Sequence, residues 1–153
     1  DNFDFSFFFQ GLARESFWID ADATYPFVNN QGGSTISKNA LLKVYAENHW
    51  SETNQDLYAL WPRLSNRVLE NNTVRSTWFM RDGSFLRLKS VEIGYTLPKK
   101  HTSKLHIKNL RLYLSGTNLL CFSNFKLWDP EMAGDGLGYP IQKVYNVGIQ
   151  FSF

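Results

Sequence analysis

The chain has little cysteine, no long apolar run and almost no net charge, and each shortage removes a class of protein. One cysteine, Cys121, has no partner for a disulfide within the chain. No stretch approaches the ~18 apolar residues that a spanning helix needs, and mean hydropathy is -0.32. A helical membrane protein is excluded. A β-barrel is not, because its strands turn half their residues towards a polar lumen. Sixteen Lys and Arg against fourteen Asp and Glu give a net charge of +2, too little for a nucleic-acid partner. His49, His101 and His106 lack metal-ligand spacing. Asp20 with Asp22, and Asp129 with Glu131, sit in loop-like sequence without a local base or nucleophile. Gly134–Gly138 lacks the alternating oxygens and trailing Glu of a calcium loop. The chain is therefore expected to be no enzyme, with no catalytic residues, cofactor or metal.

Aromatic residues are what it has in excess: 13 Phe, 7 Tyr and 5 Trp, 16% of the chain. Read back from the terminus, Phe153, Phe151, Ile149, Val147 and Tyr145 alternate with Ser152, Gln150, Gly148, Asn146 and Val144. Phe3, Phe5, Phe7 and Phe9 alternate with Asp4, Ser6, Phe8 and Gln10 in the same way. Alternation of period two is the mark of a strand with one apolar face. Each phenylalanine gains ~1.5–3 kcal/mol on leaving water. A soluble protein would have to cover such a face with a second layer, whereas a bilayer covers it without one.

The same period returns at Val91–Leu97 and at Leu110–Leu114. Leu86 and Leu88 have the opposite parity to Val91, Ile93 and Tyr95, which suggests a β-bulge around Lys89–Ser90 or a change there from loop to membrane register. Four strands are expected, at about 2–12, 77–97, 109–122 and 143–153. Between them lie long irregular segments at about 13–76 and 123–142 and a turn at 98–108. The first segment carries turn chemistry at 29–33 and one short helix, with Ser37 as its cap and Ile36 and Leu41 as a hydrophobic staple. Sixty residues without a strand exceeds ordinary connection lengths and marks a functional excursion. The cationic run in the 98–108 turn reads first as a solvated turn and second as a lipid-headgroup or partner contact. The start at Asp1, without Met or signal peptide, suggests a mature product or the tail of something longer.

The run Asp82–Lys100, with Arg87-Leu88-Lys89-Ser90-Val91-Glu92-Ile93-Gly94-Tyr95 at its centre, resembles the SusC/RagA family of TonB-dependent outer-membrane transporters. So do Ile107–Leu120, Asp129-Pro130-Glu131, Tyr139-Pro140 and the terminal aromatic strand. Gly11–Ser76 matches more loosely. The resemblance implies an all-β fold: the last four antiparallel strands of a large transmembrane barrel of about 22 strands, the class with a plugged lumen. Four strands cannot close a barrel, since the smallest use ~8, so the remainder of the barrel and its plug are implied partners. Contact with TonB would run through the missing amino-terminal part. The 13–76 and 123–142 loops would be extracellular and the 98–108 turn periplasmic.

The implied function is import of glycan oligomers or peptides, with a SusD-like lipoprotein over the mouth and outer-membrane lipid around the barrel. The alternative is a soluble extracellular all-β carbohydrate-binding module, and a surface adhesin is a third. Tyr145, Val147, Ile149, Phe151 and Phe153 would form the barrel-assembly signal. Trp50, Tyr58, Trp61, Trp128, Asp129, Glu131 and Tyr139 are the loop residues open to partner or substrate contact. Loop aromatics pack on one another, dock a partner or stack on substrate, expected in that order.

Overall fold

Alternating sequence becomes paired strand throughout a computed structural model, which describes residues 2–27, 40–65, 69–72, 74–103, 106–134, 136 and 138–153. The elements are β1 (Phe3–Leu12), β2 (Ser16–Trp18), α1 (Ala21–Thr24), α2 (Lys43–Glu47), β3 (Met80–Asp82), β4 (Phe85–Thr96), α3 (Lys99–Thr102), β5 (Asn109–Ser123) and β6 (Val144–Ser152). They fall into two units, a sheet unit of Asp1–Ala13, Ser84–Asn124 and Ile141–Phe153, and a loop unit of Arg14–Gly83 and Phe125–Pro140.

The sheet unit is antiparallel, in the order β1-β4-β5-β6. Its register puts like with like across the strands. One face carries the rows Phe3–Tyr95–Leu112–Ile149 and Phe5–Ile93–Leu114–Val147, and the other carries Ser6–Glu92–Ser115–Asn146. The first face is outward and bare. Phe3, Tyr145 and Val147 are 74%, 73% and 82% exposed. Ten such side chains left in water would forgo roughly 15–30 kcal/mol of burial, more than the whole stability of an ordinary domain, about 5–15 kcal/mol. This is a sheet built to be covered on its apolar side.

The parity change at Lys89 is a bulge. Phe8 pairs Ser90 while Phe9 pairs Leu88, so Lys89 is skipped opposite β1. At the same level β5 passes from Thr117 to Leu120, and Asn118 takes a left-handed φ of 54°, which asparagine tolerates better than most residues.

Two of the inner-face glycines are set by their neighbours. A β-carbon on Gly94 would strike Arg111 and Asp4, and one on Gly148 would strike the ring of Tyr113. Arg111 donates Nε to Asp4 Oδ1 at 3.1 Å and Nη2 to Glu92 Oε1 at 2.7 Å, with a further bond to Asp4 Oδ2. Its guanidinium lies 5.3 Å from the Tyr113 ring. The long side chains of β5 thus lie flat along the inner face over the glycines of β4 and β6.

Three expectations need correction. The strand expected over 77–97 is divided: Thr77–Phe79 forms a 3-10 turn, Met80–Asp82 pairs with β2, and only Phe85 onwards joins the large sheet. The reason is Phe79, whose ring is buried in the loop unit at 2% exposure. The expected helix starts at Lys43, with Leu42 as its uncapped N-cap. Leu41 precedes it and packs on the loop core, while Ile36, Ser37 and the 29–33 turn lie outside the described residues. Third, the 98–108 turn holds α3, and α1 is a further helix in the first loop, so the loops carry more than one.

Gly148→Val should lower the thermal unfolding midpoint of the intact protein, since overpacking costs ~1–3 kcal/mol. A midpoint equal to wild type would show that Tyr113 moves aside at no cost.

Candidate membrane and partner interfaces

The outward face of the sheet is the larger of two candidate interfaces, and its height can be measured in rows. Beginning at the end next to α3, the rows are Leu110–Phe151, then those led by Phe3, Phe5 and Phe7, then Phe9–Leu88–Leu120 and Gly11–Leu86–Phe122. Adjacent rows lie two residues apart, ~7 Å along a strand. Five intervals at a tilt of ~40° give a height of ~26 Å, against ~25 Å for the apolar band of an outer-membrane barrel. Strands of 10, 12, 15 and 9 residues likewise suit the ~9–11 needed to cross. On β6, Tyr145, Val147, Ile149 and Phe151 are exposed on this face, Phe153 just past its end is exposed too, and the Phe151 and Phe153 rings meet edge to face at 5.4 Å.

The second candidate is the loop unit, which owes its shape to an aromatic core. Trp61, 1% exposed, lies between Tyr45 at 4.8 Å, Tyr25 at 5.4 Å and Phe79 at 5.5 Å between ring centroids. Backbone bonds fix it there. Trp50 N donates to Trp61 O at 2.9 Å and Trp61 N to Asn48 O at 3.3 Å. Tyr45 hydroxyl donates to Thr24 Oγ1 at 3.2 Å, and Leu69 N donates to Tyr25 hydroxyl at 2.9 Å. Phe125 brings in the second loop, edge to face with Phe17 at 5.0 Å and with Trp128 at 5.0 Å. Asp20 N bonds Gly134 O at 3.0 Å, an approach so close that a β-carbon on Gly134 would strike Trp18 O.

The seven loop residues therefore part company. Trp61 is a core residue, and its burial removes it from the contact surface. Trp128 donates Nε1 to Ala133 O at 2.8 Å and packs on Gly136. Asp129 accepts from Glu131 N at 3.0 Å and caps the 3-10 turn Pro130–Met132. Trp50 lines an open groove of about 340 Å³ with Glu52 and Arg63, which form an ion pair at 3.0 Å. Tyr58 and Tyr139 project, 93% and 80% exposed. Sequence reasoning missed Leu57, 71% exposed beside Tyr58. Tyr58 N bonds Asp56 Oδ1 at 2.8 Å and Ala59 N bonds Asp56 O at 3.3 Å, so an Asx turn presents both side chains from a fixed backbone. The signal was the Asp56 two residues before Tyr58. Among the described residues no three His, Cys, Asp or Glu side chains form a metal cluster.

No family model matches the chain. It is 29% identical over 165 residues to TonB-dependent receptor P26 of Formosa agariphila, covering 99% of this chain and 16% of that protein. With TonB-dependent receptor P3 of the same organism it shares 34% over 84 residues, 55% of this chain and 8% of the relative. Its fold superimposes on the RagAB peptide transporter with a TM-score of 0.66 at 26% identity, covering 99% of this chain and 16% of that one. The closed-closed state of the RagAB peptide importer gives 0.66 at 28%. The chain is similar over nearly its whole length to SusC-like TonB-dependent receptors. It spans about one-sixth of the length of the relatives that it matches end to end. Those relatives are outer-membrane β-barrel proteins, a setting in which an apolar outward face lies against lipid.

In the loop unit, burial pushes the Tyr45 hydroxyl above its ordinary pKa, an effect that the Thr24 hydroxyl and the Arg81 guanidinium partly offset. The fold favours the neutral phenol. Its contribution to stability is present below the unfolded value of about 10 and is lost as pH rises through the higher folded value. Tryptophan fluorescence of the intact receptor should report loosening of the loop unit above pH ~10, with Tyr45→Phe holding to higher pH. Equal alkaline sensitivity of the two proteins would assign the loosening to other groups.

Proposed function

We propose that the chain is the carboxy-terminal four-strand segment of a barrel of about 22 strands that imports glycan oligomers or peptides under TonB coupling. The observation that carries this is the outward apolar face, six rows deep and bare along its whole height. A soluble carbohydrate-binding module would fold that face inward against a second layer. Peptides are the favoured cargo, because the solved structures that the chain superimposes on are of a peptide importer.

Each edge of the sheet needs a neighbouring strand, since unpaired backbone groups have no partner in lipid. The remaining strands of the barrel supply them, around a plug. Phe153 and the 98–108 turn lie at the periplasmic end, and the 13–76 and 123–142 loops outside. Phe153 and the apolar face of β6 act as the signal read during barrel insertion. Leu57, Tyr58 and Tyr139 dock a SusD-like lipoprotein, as fixed apolar anchors serve interfaces in general.

A strain lacking the whole receptor, complemented with variants, tests these roles together. Wild type should restore growth on a peptide mixture as sole nitrogen source. Deletion of Phe153 should lower the folded receptor in the outer membrane at equal synthesis. Leu57→Ala with Tyr58→Ala should leave barrel insertion intact and weaken co-purification of the lipoprotein about tenfold or more, a loss of ~1.4 kcal/mol or above. Growth on peptides and on oligosaccharides unchanged by loss of the receptor would refute the import reading.

A further inference from the structure

The 98–108 turn holds a feature that barrel closure and partner docking leave unused. Lys99, Thr102, Ser103, His106, Ile107 and Lys108 line a pocket of about 480 Å³. Its backbone is tied at several points. His101 N bonds Pro98 O at 2.9 Å, His106 N bonds Ser103 O at 3.2 Å, and Ile107 N bonds Thr102 O at 3.3 Å. His106 takes a left-handed φ of 57°, and Thr102 is 3% exposed. The lining residues carry two ammonium groups, an imidazole and two hydroxyls beside an isoleucine. The sequence has no Asp or Glu between Glu92 and Asp129.

Position gives the pocket its ligand. Lys108 N bonds Ser152 O at 2.8 Å, so the turn closes against the last residue of β6, just past the Asn109–Ser152 pair that ends the β5–β6 ladder. That is one row beyond Leu110–Phe151, the last apolar row. One row is ~7 Å along the strand and ~5 Å in height at the usual tilt. The headgroup layer occupies roughly 5–8 Å on each side of the hydrocarbon, so a sheet lying in lipid would bring this turn to the level of the phosphates. We propose that this pocket binds the phosphate of a phospholipid headgroup in the leaflet next to the turn, with the acyl chains running along Phe151 and Phe153. The proposal rests on the outward face being in lipid.

The test uses the whole receptor, extracted in mild detergent and titrated with phosphatidylglycerol while native mass spectrometry counts the lipid retained. Wild type should keep bound lipid. Lys99→Gln with Lys108→Gln should weaken retention roughly thirtyfold, about fivefold for each charge lost near a lipid phosphate. Lys100→Gln removes a charge from the same turn outside the pocket and should change little. An equal loss in Lys100→Gln would reduce the effect to general attraction and overturn the site, as would full retention in the double variant. Inorganic phosphate should not displace the lipid, and displacement at matched concentration would overturn the assignment to a headgroup. The membrane reading is checked separately, by recovery of folded wild type in the outer-membrane fraction. Its absence there would sink both proposals, whereas its presence with unchanged lipid binding sinks only this one.

Discussion

A strand in lipid has to pair its backbone within the sheet and turn apolar side chains outward, and the sheet unit follows from that pair of demands. Every charged side chain of β1, β4 and β5 below the bulge lies on the inner face by parity: Asp4, Glu92 and Arg111. They meet there in one hydrogen-bonded group. A lone guanidinium on that face would need water or a partner segment to satisfy it. Two carboxylates and the Tyr113 ring satisfy it within the sheet and tie β1, β4 and β5 together across their width. The glycines follow, because Arg111 lies flat over its diagonal neighbour Gly94 and Tyr113 over its cross-strand neighbour Gly148, where a β-carbon would strike them. Gly94 and Gly148 are therefore consequences of Arg111 and Tyr113, and the same constraint explains both.

The sheet was legible in the sequence because lipid acts on each residue locally. Phe3, Phe5, Phe7 and Phe9 need no distant partner to announce their face, and the parity slip at Lys89 announced a bulge. The loop unit was illegible for the opposite reason. Its core joins Phe17, Tyr25, Tyr45, Trp61, Phe79 and Phe125, which are far apart in sequence and show no period. Trp78 and Phe79 looked like the start of a strand because they are apolar and adjoin one. Tertiary burial of Phe79 captured them instead and left β4 to start after Gly83. The helix moved by the same competition, since Tyr45, with no exposed surface, fixes which turn of that segment must be helical.

Tyr58 and Trp61 show where residue type stops being informative. They are three positions apart, both large, both aromatic and both next to apolar residues, yet one is 93% exposed and the other 1%. What separates them is backbone. Trp61 is bonded to Trp50 and Asn48 on the edge facing the core, while Asp56 turns the chain so that Leu57 and Tyr58 point away. Two apolar side chains held in water by a rigid turn do nothing for the core, which is the physical sense in which they are available to a partner. Trp50, Trp128 and Asp129 fall between these extremes, each partly used by its own loop.

The bulges add a geometric step that the row count alone does not contain. At one level of the sheet β1 advances by one residue, β4 by two and β5 by three, from Phe8 to Phe9, Leu88 to Ser90 and Thr117 to Leu120. Each strand towards β6 thus spends one more residue on the same height. Bulges sharpen the local twist and bend the strand that carries the extra residue, so this staircase bends the sheet progressively towards its β6 side. β6 itself stops at that level, with Val144 opposite Thr117 the last pair. The bulged Asn118 then reaches past the end of the ladder and donates Nδ2 to Gln142 O at 3.0 Å, replacing with a side chain the backbone pairing that β6 no longer offers. Below the bulge the sheet is a regular four-stranded ladder under the rule of the bilayer. Above it the strands lengthen, lose a neighbour and lead into loop, and the apolar rows end two steps later.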